Sequence, residues 1–268
     1  MSGFAAEWLA LREPYDREAR DPAILDAVVA SLAGHPSITI ADLACGTGST
    51  LRALSPRLEG RQNWRLVDND LGLLARASAD APPGVNLLPT VLDLNRDLEA
   101  ALDGSVDLVA ASALLDLVSE DWLGRLVMEI AARKVPLYAA LTYDGRIVCD
   151  PSDPGDAGIV AAVNSHQQRD KGFGPALGRA AAATAIARLK TVDYSVDHGI
   201  ADWTFGPDDR AIQTEILSGW AAAARETGDL PLAEIVGWLE RRRDTVAAGR
   251  SSIRVGHVDI FARPIDTR

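Results

Sequence analysis

From about residue 22 to residue 142, short β-rich runs alternate with helical stretches, the signature of a parallel sheet with covering helices. Five strands are expected here: SITIADL (37–43), WRLVD (64–68), VNLLPTVL (85–92), VDLVAAS (106–112) and VPLYAALT (135–142). The segments between them carry apolar residues at helical spacing. SEDWLGRLVMEIAARK is the longest, and Ser119, Glu120 and Asp121 give it an N-terminal cap and an acidic first turn.

After Thr142 the rhythm changes. A turn-rich stretch, YDGRIVCDPSDPGD, precedes a helical segment, GIVAAVNSHQQRD, then a glycine-marked turn, KGFGPALG, and the alanine-rich AAAATAIARL. Excursions of this length are more often binding loops or lids than spacers, so residues 143–186 are expected to form a substrate cover. Two further strands, LKTVDYSVD and SSIRVGHVDIFARP, suit an antiparallel edge pair, with helices around AIQTEILSGWAAAARE and LAEIVGWLERRRDTV between them. No Pro/Gly/Ser-rich linker divides the chain. Residues 1–268 therefore read as one domain with an N-terminal helical segment over 1–35.

A net charge of −11 argues against a nucleic-acid partner, since phosphate binding needs clustered cations. The one dense basic run, Arg241, Arg242 and Arg243, reads as a solvated helix face. Glu7, Arg12 and Glu13 interrupt the N-terminal apolar residues, which excludes a signal peptide or membrane span there and points to the cytoplasm. Cys45 and Cys149 lie too far apart in sequence for a recognisable disulfide or zinc framework, and the four histidines show no ligand spacing, so no metal is expected.

The strongest local signal is Asp42-Leu43-Ala44-Cys45-Gly46-Thr47-Gly48, at the end of the first strand and the start of a helix. Glycines let the backbone turn sharply and come close to a ligand, and a helix start offers free N–H groups. The nicotinamide pattern GxGxxG is not met, because its third small position is Leu51, and no Gly-Lys-Ser/Thr follows for a phosphate loop. The second strand ends in Asp68, followed by Asn69 and Asp70; an acid there can accept two hydrogen bonds from ribose hydroxyls, while Asp70 reads as a helix cap. The third strand ends in Asp93-Leu94 and the fourth in Ser112, so successive strands put polar groups on one edge of the sheet. Nothing near Cys45 would lower its pKa, and it reads as a lining residue, not a nucleophile.

Taken together, DLACGTG, LVDND, LDL and VDLVAASALLDL resemble the class I, Rossmann-like S-adenosylmethionine-dependent methyltransferases over roughly residues 36–142. The late strands fit that family's final antiparallel pair. The resemblance implies a three-layer α/β sandwich with a mainly parallel seven-stranded sheet, S-adenosylmethionine as cofactor and S-adenosylhomocysteine as product. It also implies that Asp42, Gly46 and Gly48 surround the methionine part, Asp68 holds the ribose and Asp93 and Leu94 border the adenine, with Ala44, Cys45 and Asn69 in the same cofactor site. Ser112 would then sit below the sulfonium. Ala44 stands where glycine is commoner.

Around this frame, Arg20 is a candidate partner for the cofactor carboxylate, and Arg12, Tyr15, Tyr143, Asn164 and Lys171 are candidates for contacting the substrate. His166 is the candidate general base, against the commoner role of a hydrogen-bonded structural histidine. His257, alternating with Val255 and Val258, reads as a core residue. The expected activity is methyl transfer to an O, N or C atom of a small molecule. A cofactor-binding protein without transferase activity and a protein or nucleic-acid methyltransferase are the alternatives. Oligomeric state is open.

Overall fold

The computed structural model of the protein describes residues 5–265; the first four residues of the expected N-terminal helical segment and the last three of the chain lie outside it. Eight strands make one sheet: β1 (Ser37–Leu43), β2 (Arg61–Asp68), β3 (Val85–Val91), β4 (Leu108–Ser112), β5 (Leu137–Asp150), β6 (Tyr194–Ile200), β7 (Trp203–Phe205) and β8 (Ser252–Pro264). Their spatial order is β3-β2-β1-β4-β5-β8-β6, with β7 also paired to β8. Strands β1 to β5 run parallel, whereas β8 is antiparallel to β5, β6 and β7. This is the Rossmann-like sandwich that the β/α rhythm implies, with one strand more than the expected seven. The extra strand, β7, has three residues, too short to show an alternating pattern.

Ten α-helices accompany the sheet in the described residues: α1 (Ala6–Ala19), α2 (Pro22–Leu32), α3 (Ser49–Leu54), α4 (Leu71–Ala79), α5 (Leu98–Ala101), α6 (Glu120–Arg133), α7 (Asp156–Gln167), α8 (Ala181–Lys190), α9 (Arg210–Thr227) and α10 (Leu232–Ala247). Strand side chains alternate between faces, so each central strand feeds two cores. Ala41 and Leu43 of β1, with Val109 and Ala111 of β4, pack against Leu98, Trp122, Leu126 and Leu189. Ile38 and Ile40, with Leu108 and Ala110, pack against Val28, Leu51, Leu54 and Leu74 on the other side. Ser119 caps α6 through the Trp122 N–H, as the sequence suggests. Pro89 is accommodated because β3 lies at the sheet edge.

The structure corrects the sequence on two points besides the strand count. Residues 143–150, expected to be turn-rich, continue β5 to Asp150. The Asp-Gly signal at 144–145 marks one of two breaks in register with β8 instead of a chain reversal, and Leu141 and Gly145 take positive φ at the two breaks. Beyond them Tyr143, Trp203, Phe205 and Val255 build a third core under Ile159, Ile216, Leu217 and Trp238 of α7, α9 and α10. Second, the arginine run is not uniformly solvated. Arg242 is buried and pairs with Asp156 and the Pro151 carbonyl, while Arg241 pairs with Asp153 at the surface. No helix among the described residues is long and apolar enough to cross a membrane.

Leu66 of β2 is fully enclosed, whereas Leu88 on edge strand β3 is 57% exposed. Leu66→Ala should lower stability by about 2–5 kcal/mol in urea unfolding, and Leu88→Ala by no more than about 0.5 kcal/mol. Equal effects would place Leu66 outside a packed core.

Candidate active site

The turn after β1 is built from three left-handed residues, Ala44 (φ 52°), Gly46 (φ 54°) and Gly48 (φ 85°). Ala44 tolerates a conformation that favours glycine. The two glycines answer different demands. A Cβ on Gly46 would lie 3.3 Å from Leu9 Cδ1 of α1, and one on Gly48 would lie 3.2 Å from the Ala77 Cβ of α4. Gly46 therefore lets the turn pass beneath α1, and Gly48 lets α3 start close against α4.

Asp68, at the end of β2, fixes this turn: one carboxylate oxygen accepts the Gly46 N–H (2.9 Å) and the other the Asp70 N–H (3.0 Å). Burial raises its pKa against the pull of these backbone donors. Asp70 caps α4 by accepting the N–H groups of Gly72 (2.7 Å) and Leu73 (3.1 Å). Helix α1 is stapled over the turn, because Glu13 takes a two-pronged bond from Arg52 (2.6 Å each) and Arg52 also donates to the Thr47 carbonyl (2.6 Å).

A cavity of about 830 Å³ opens along the C-terminal ends of β1, β2 and β4 and continues under α7 and α9. Its size is that of a site for a cofactor together with a second small molecule. At one end it is lined by Ala44, Cys45, Gly46, Asp68, Asn69, Asp93, Leu94 and Ser112; at the other Arg12, Tyr143, His166 and Lys171 reach it. Burial pushes the Cys45 thiol pKa up, which fits a lining group and not a nucleophile.

The remaining expected site residues lie elsewhere. Asp42 is fully buried beneath the turn, with neither carboxylate oxygen hydrogen-bonded, and Gly48 packs on α4. Tyr15 donates to Asp209 (2.6 Å), and Asn164 accepts from the Tyr143 hydroxyl (2.9 Å), supporting the wall from behind. Arg20 also sits behind the wall. It donates to the hydroxyls of Tyr138 (3.0 Å), Ser112 (3.2 Å) and Thr50 (3.4 Å), and its Nε is buried without a partner.

His166 has both ring nitrogens engaged, with Glu226 at 2.9 Å from Nε2 and the Lys171 ammonium at 3.4 Å from Nδ1. Since the carboxylate only accepts and the ammonium only donates, a proton on Nε2 and a lone pair on Nδ1 satisfy both. No free lone pair is left for the cavity. Arg12 is likewise committed: it pairs with Asp16 at 2.9 Å, stacks over the Trp203 ring at 5.0 Å, and Asp16 accepts the Trp203 indole N–H (3.0 Å).

Trp8, Asp116, Trp203 and His257 line the cavity as well, and sequence reasoning gave Asp116 no role. Asp116 is a lone acid in an apolar run just past β4; burial pushes its pKa up to about 6, opposed by nearby backbone N–H groups and by the charges of Arg12 and Lys171. His257, read as core, is buried yet lines the cavity between Trp203 (4.7 Å) and Tyr143 (6.1 Å). Burial, reinforced by Arg12, holds its pKa down at about 3, so the ring stays neutral. Alternation gave a usable signal here: His257 and Asp259 are polar residues two apart in an apolar strand, which places both on one face.

Residues 40–135 match the family described as "Methyltransferase domain". A solved cyclopropane-fatty-acyl-phospholipid synthase-like protein from Lactobacillus casei ATCC 334 is 15% identical, with 93% of this chain and 98% of that one covered and a TM-score of 0.53. A candidate methyltransferase from Bacillus halodurans C-125 is 13% identical over 90% of this chain and 99% of that one, with a TM-score of 0.50. These likenesses are of fold. No curated protein sequence matches the chain. The fold is that of a Rossmann-like sandwich with a methyltransferase strand order. Within it, residues 40–135 are similar to methyltransferase domains.

Burial lifts the Asp42 pKa to about 7 from an ordinary 3.8; Arg20 opposes this and the charge of Asp68 adds to it. Between those values the folded protein holds a proton that the unfolded chain has released. This contribution to stability is therefore complete below about pH 4 and is lost as the pH rises towards 7. Urea unfolding from pH 4.5 to 8 should show Asp42→Asn gaining on the unsubstituted protein as the pH rises, then levelling off above about pH 7. A constant difference would mean that the carboxylate is already ionised in the folded state.

Proposed function

We propose that the protein transfers the methyl group of S-adenosylmethionine to a small molecule bound in the part of the cavity under α7 and α9. The observation that carries this reading is the continuity of the cavity from the glycine turn to His166 and Lys171. A protein that only bound the cofactor would have that second part filled by side chains, and here it is open.

The residues present fit the cofactor. All line the cavity: Asp68 and Asn69 would hold the ribose hydroxyls, Asp93 and Leu94 would border the adenine, and Ala44, Cys45, Gly46 and Ser112 would surround the methionine part. Arg20 would act through Ser112, which it orients, and its unpartnered Nε would support a carboxylate only after rearrangement. Asp42 would act from beneath the turn. When bound, S-adenosylmethionine supplies an electrophilic methyl group on a sulfonium.

The protein's own work is alignment and exclusion of water. Helix α1, through Trp8 and Arg12, covers the turn, while α7 and the loop carrying Lys171 and Phe173 cover the far end. Together with α9, whose Ile216 and Trp220 also line the cavity, these elements would serve as the substrate cover, whereas residues 143–150 belong to β5. Tyr143, braced by Asn164, and the His166–Lys171–Glu226 group would shape the acceptor's position.

Calorimetric titration tests this reading. The unsubstituted protein should bind S-adenosylmethionine and S-adenosylhomocysteine. Asp68→Ala should weaken both at least about tenfold, as expected for lost charge-assisted bonds to hydroxyls. Gly46→Val should also abolish binding, because a β-branched residue is strained at φ 54° and its side chain points at Leu9. Absence of binding by folded, unsubstituted protein would overturn the proposal.

A further inference from the structure

Two hydrogen-bond acceptors in the far part of the cavity have no donor among the described residues. Asp116, 5% exposed, lines the cavity, and its Oδ1 is buried without a partner. The main chain holds it in place, since its carbonyl accepts the Gly178 N–H (2.9 Å) and Val118 next to it accepts from Leu177 (2.8 Å). The backbone N–H groups of Asp116 and Tyr143 and the charges of Arg12 and Lys171 act on the carboxylate, but Arg12 gives its Nε–H to Asp16, Lys171 faces His166, and no donor reaches Oδ1. His257 is the second acceptor. Its Nδ1 lies 3.1 Å from the Val255 carbonyl, which can only accept, so Nδ1 carries the proton and Nε2 keeps a lone pair. The ring is clamped between Trp203 and Tyr143 and cannot turn to satisfy that nitrogen elsewhere.

A buried acceptor left unpaired is costly, so an occupant of this space is selected by the donors it brings. We infer that the methyl acceptor is a hydrogen-bearing nucleophile, a hydroxyl or an amine on an apolar body, with Asp116 receiving the nucleophile's hydrogen and His257 Nε2 accepting a second N–H or O–H. This rests on the function proposed above.

The apolar body follows from Trp8, Phe173, Trp203 and Trp220, which line the same space. In the reaction the nucleophile's lone pair forms the bond to the methyl carbon, and the carbon–sulfur bond breaks with its electrons passing to sulfur. The hydrogen on the nucleophile passes as a proton to the Asp116 carboxylate and then to water at the cavity mouth. An acceptor reacting through a carbon–carbon double bond would bring no donor and leave both groups unpaired.

Three probes of one shape, benzyl alcohol, benzylamine and toluene, separate these cases. Each is titrated into protein saturated with S-adenosylhomocysteine, followed by tryptophan fluorescence, because Trp8, Trp203 and Trp220 line the cavity. At least one of the two protic probes should bind about tenfold or more tightly than toluene, and whichever does identifies hydroxyl or amine. Asp116→Asn and His257→Phe should each erase most of that preference while S-adenosylhomocysteine affinity stays within about twofold. Toluene binding as tightly as the protic probes, no binding by any probe, or a preference that survives Asp116→Asn would overturn the inference. Failure of S-adenosylhomocysteine itself to bind would count against the cofactor reading instead. The same probe series on protein without it still decides the donor requirement.

Discussion

The guanidinium of Arg20 is buried where five segments of the chain meet. It leaves the junction of α1 and α2, donates to Tyr138 on β5, and reaches Ser112 on β4 and Thr50 on α3. Asp259 of β8 completes the group by accepting the Asp21 N–H (3.1 Å), the Leu141 N–H (2.8 Å) and the Tyr138 hydroxyl (3.4 Å). A buried charge is tolerated only when its donors are met on several sides, so the strands and the N-terminal helices have to arrive in one arrangement. That requirement positions α1 over the glycine turn, and with it Arg12 and Trp8 at the cavity.

The parallel half of the sheet could be read from the sequence because its strands are short β-rich runs, with β1, β2 and β4 largely buried, each followed by a polar or glycine-bearing turn. The expected and observed limits of β1 coincide at residues 37–43, and Asp68, Asp93 and Ser112 fall at or just beyond strand ends. The antiparallel half was less legible. In β5 the residues that announce a turn, Asp144 and Gly145, relieve a register mismatch within a strand that goes on. In the arginine run, composition alone cannot tell Arg242, folded inward onto Asp156, from its neighbours on the surface.

The same division holds for the site. Residues belonging to the glycine turn and strand ends were visible because their positions follow from the βα repeat. Asp116 and His257 were not, since they reach the cavity from a loop and from strand β8, far apart in sequence. What brings them together is pairing of β8 with both β5 and β7, a long-range register that no local pattern encodes. Arg20 shows the reverse case. Its residue type suggested direct contact with a ligand, but its surroundings give it three hydroxyls instead.

Strand β5 is 14 residues long, a reach of about 46 Å at ordinary strand rise. Its first half lies in the parallel sheet beside β4, and its second half, from Tyr143 onward, is the floor of the third core. The two ends of the cavity therefore share one strand, which is interrupted between them by the register breaks at Leu141 and Gly145.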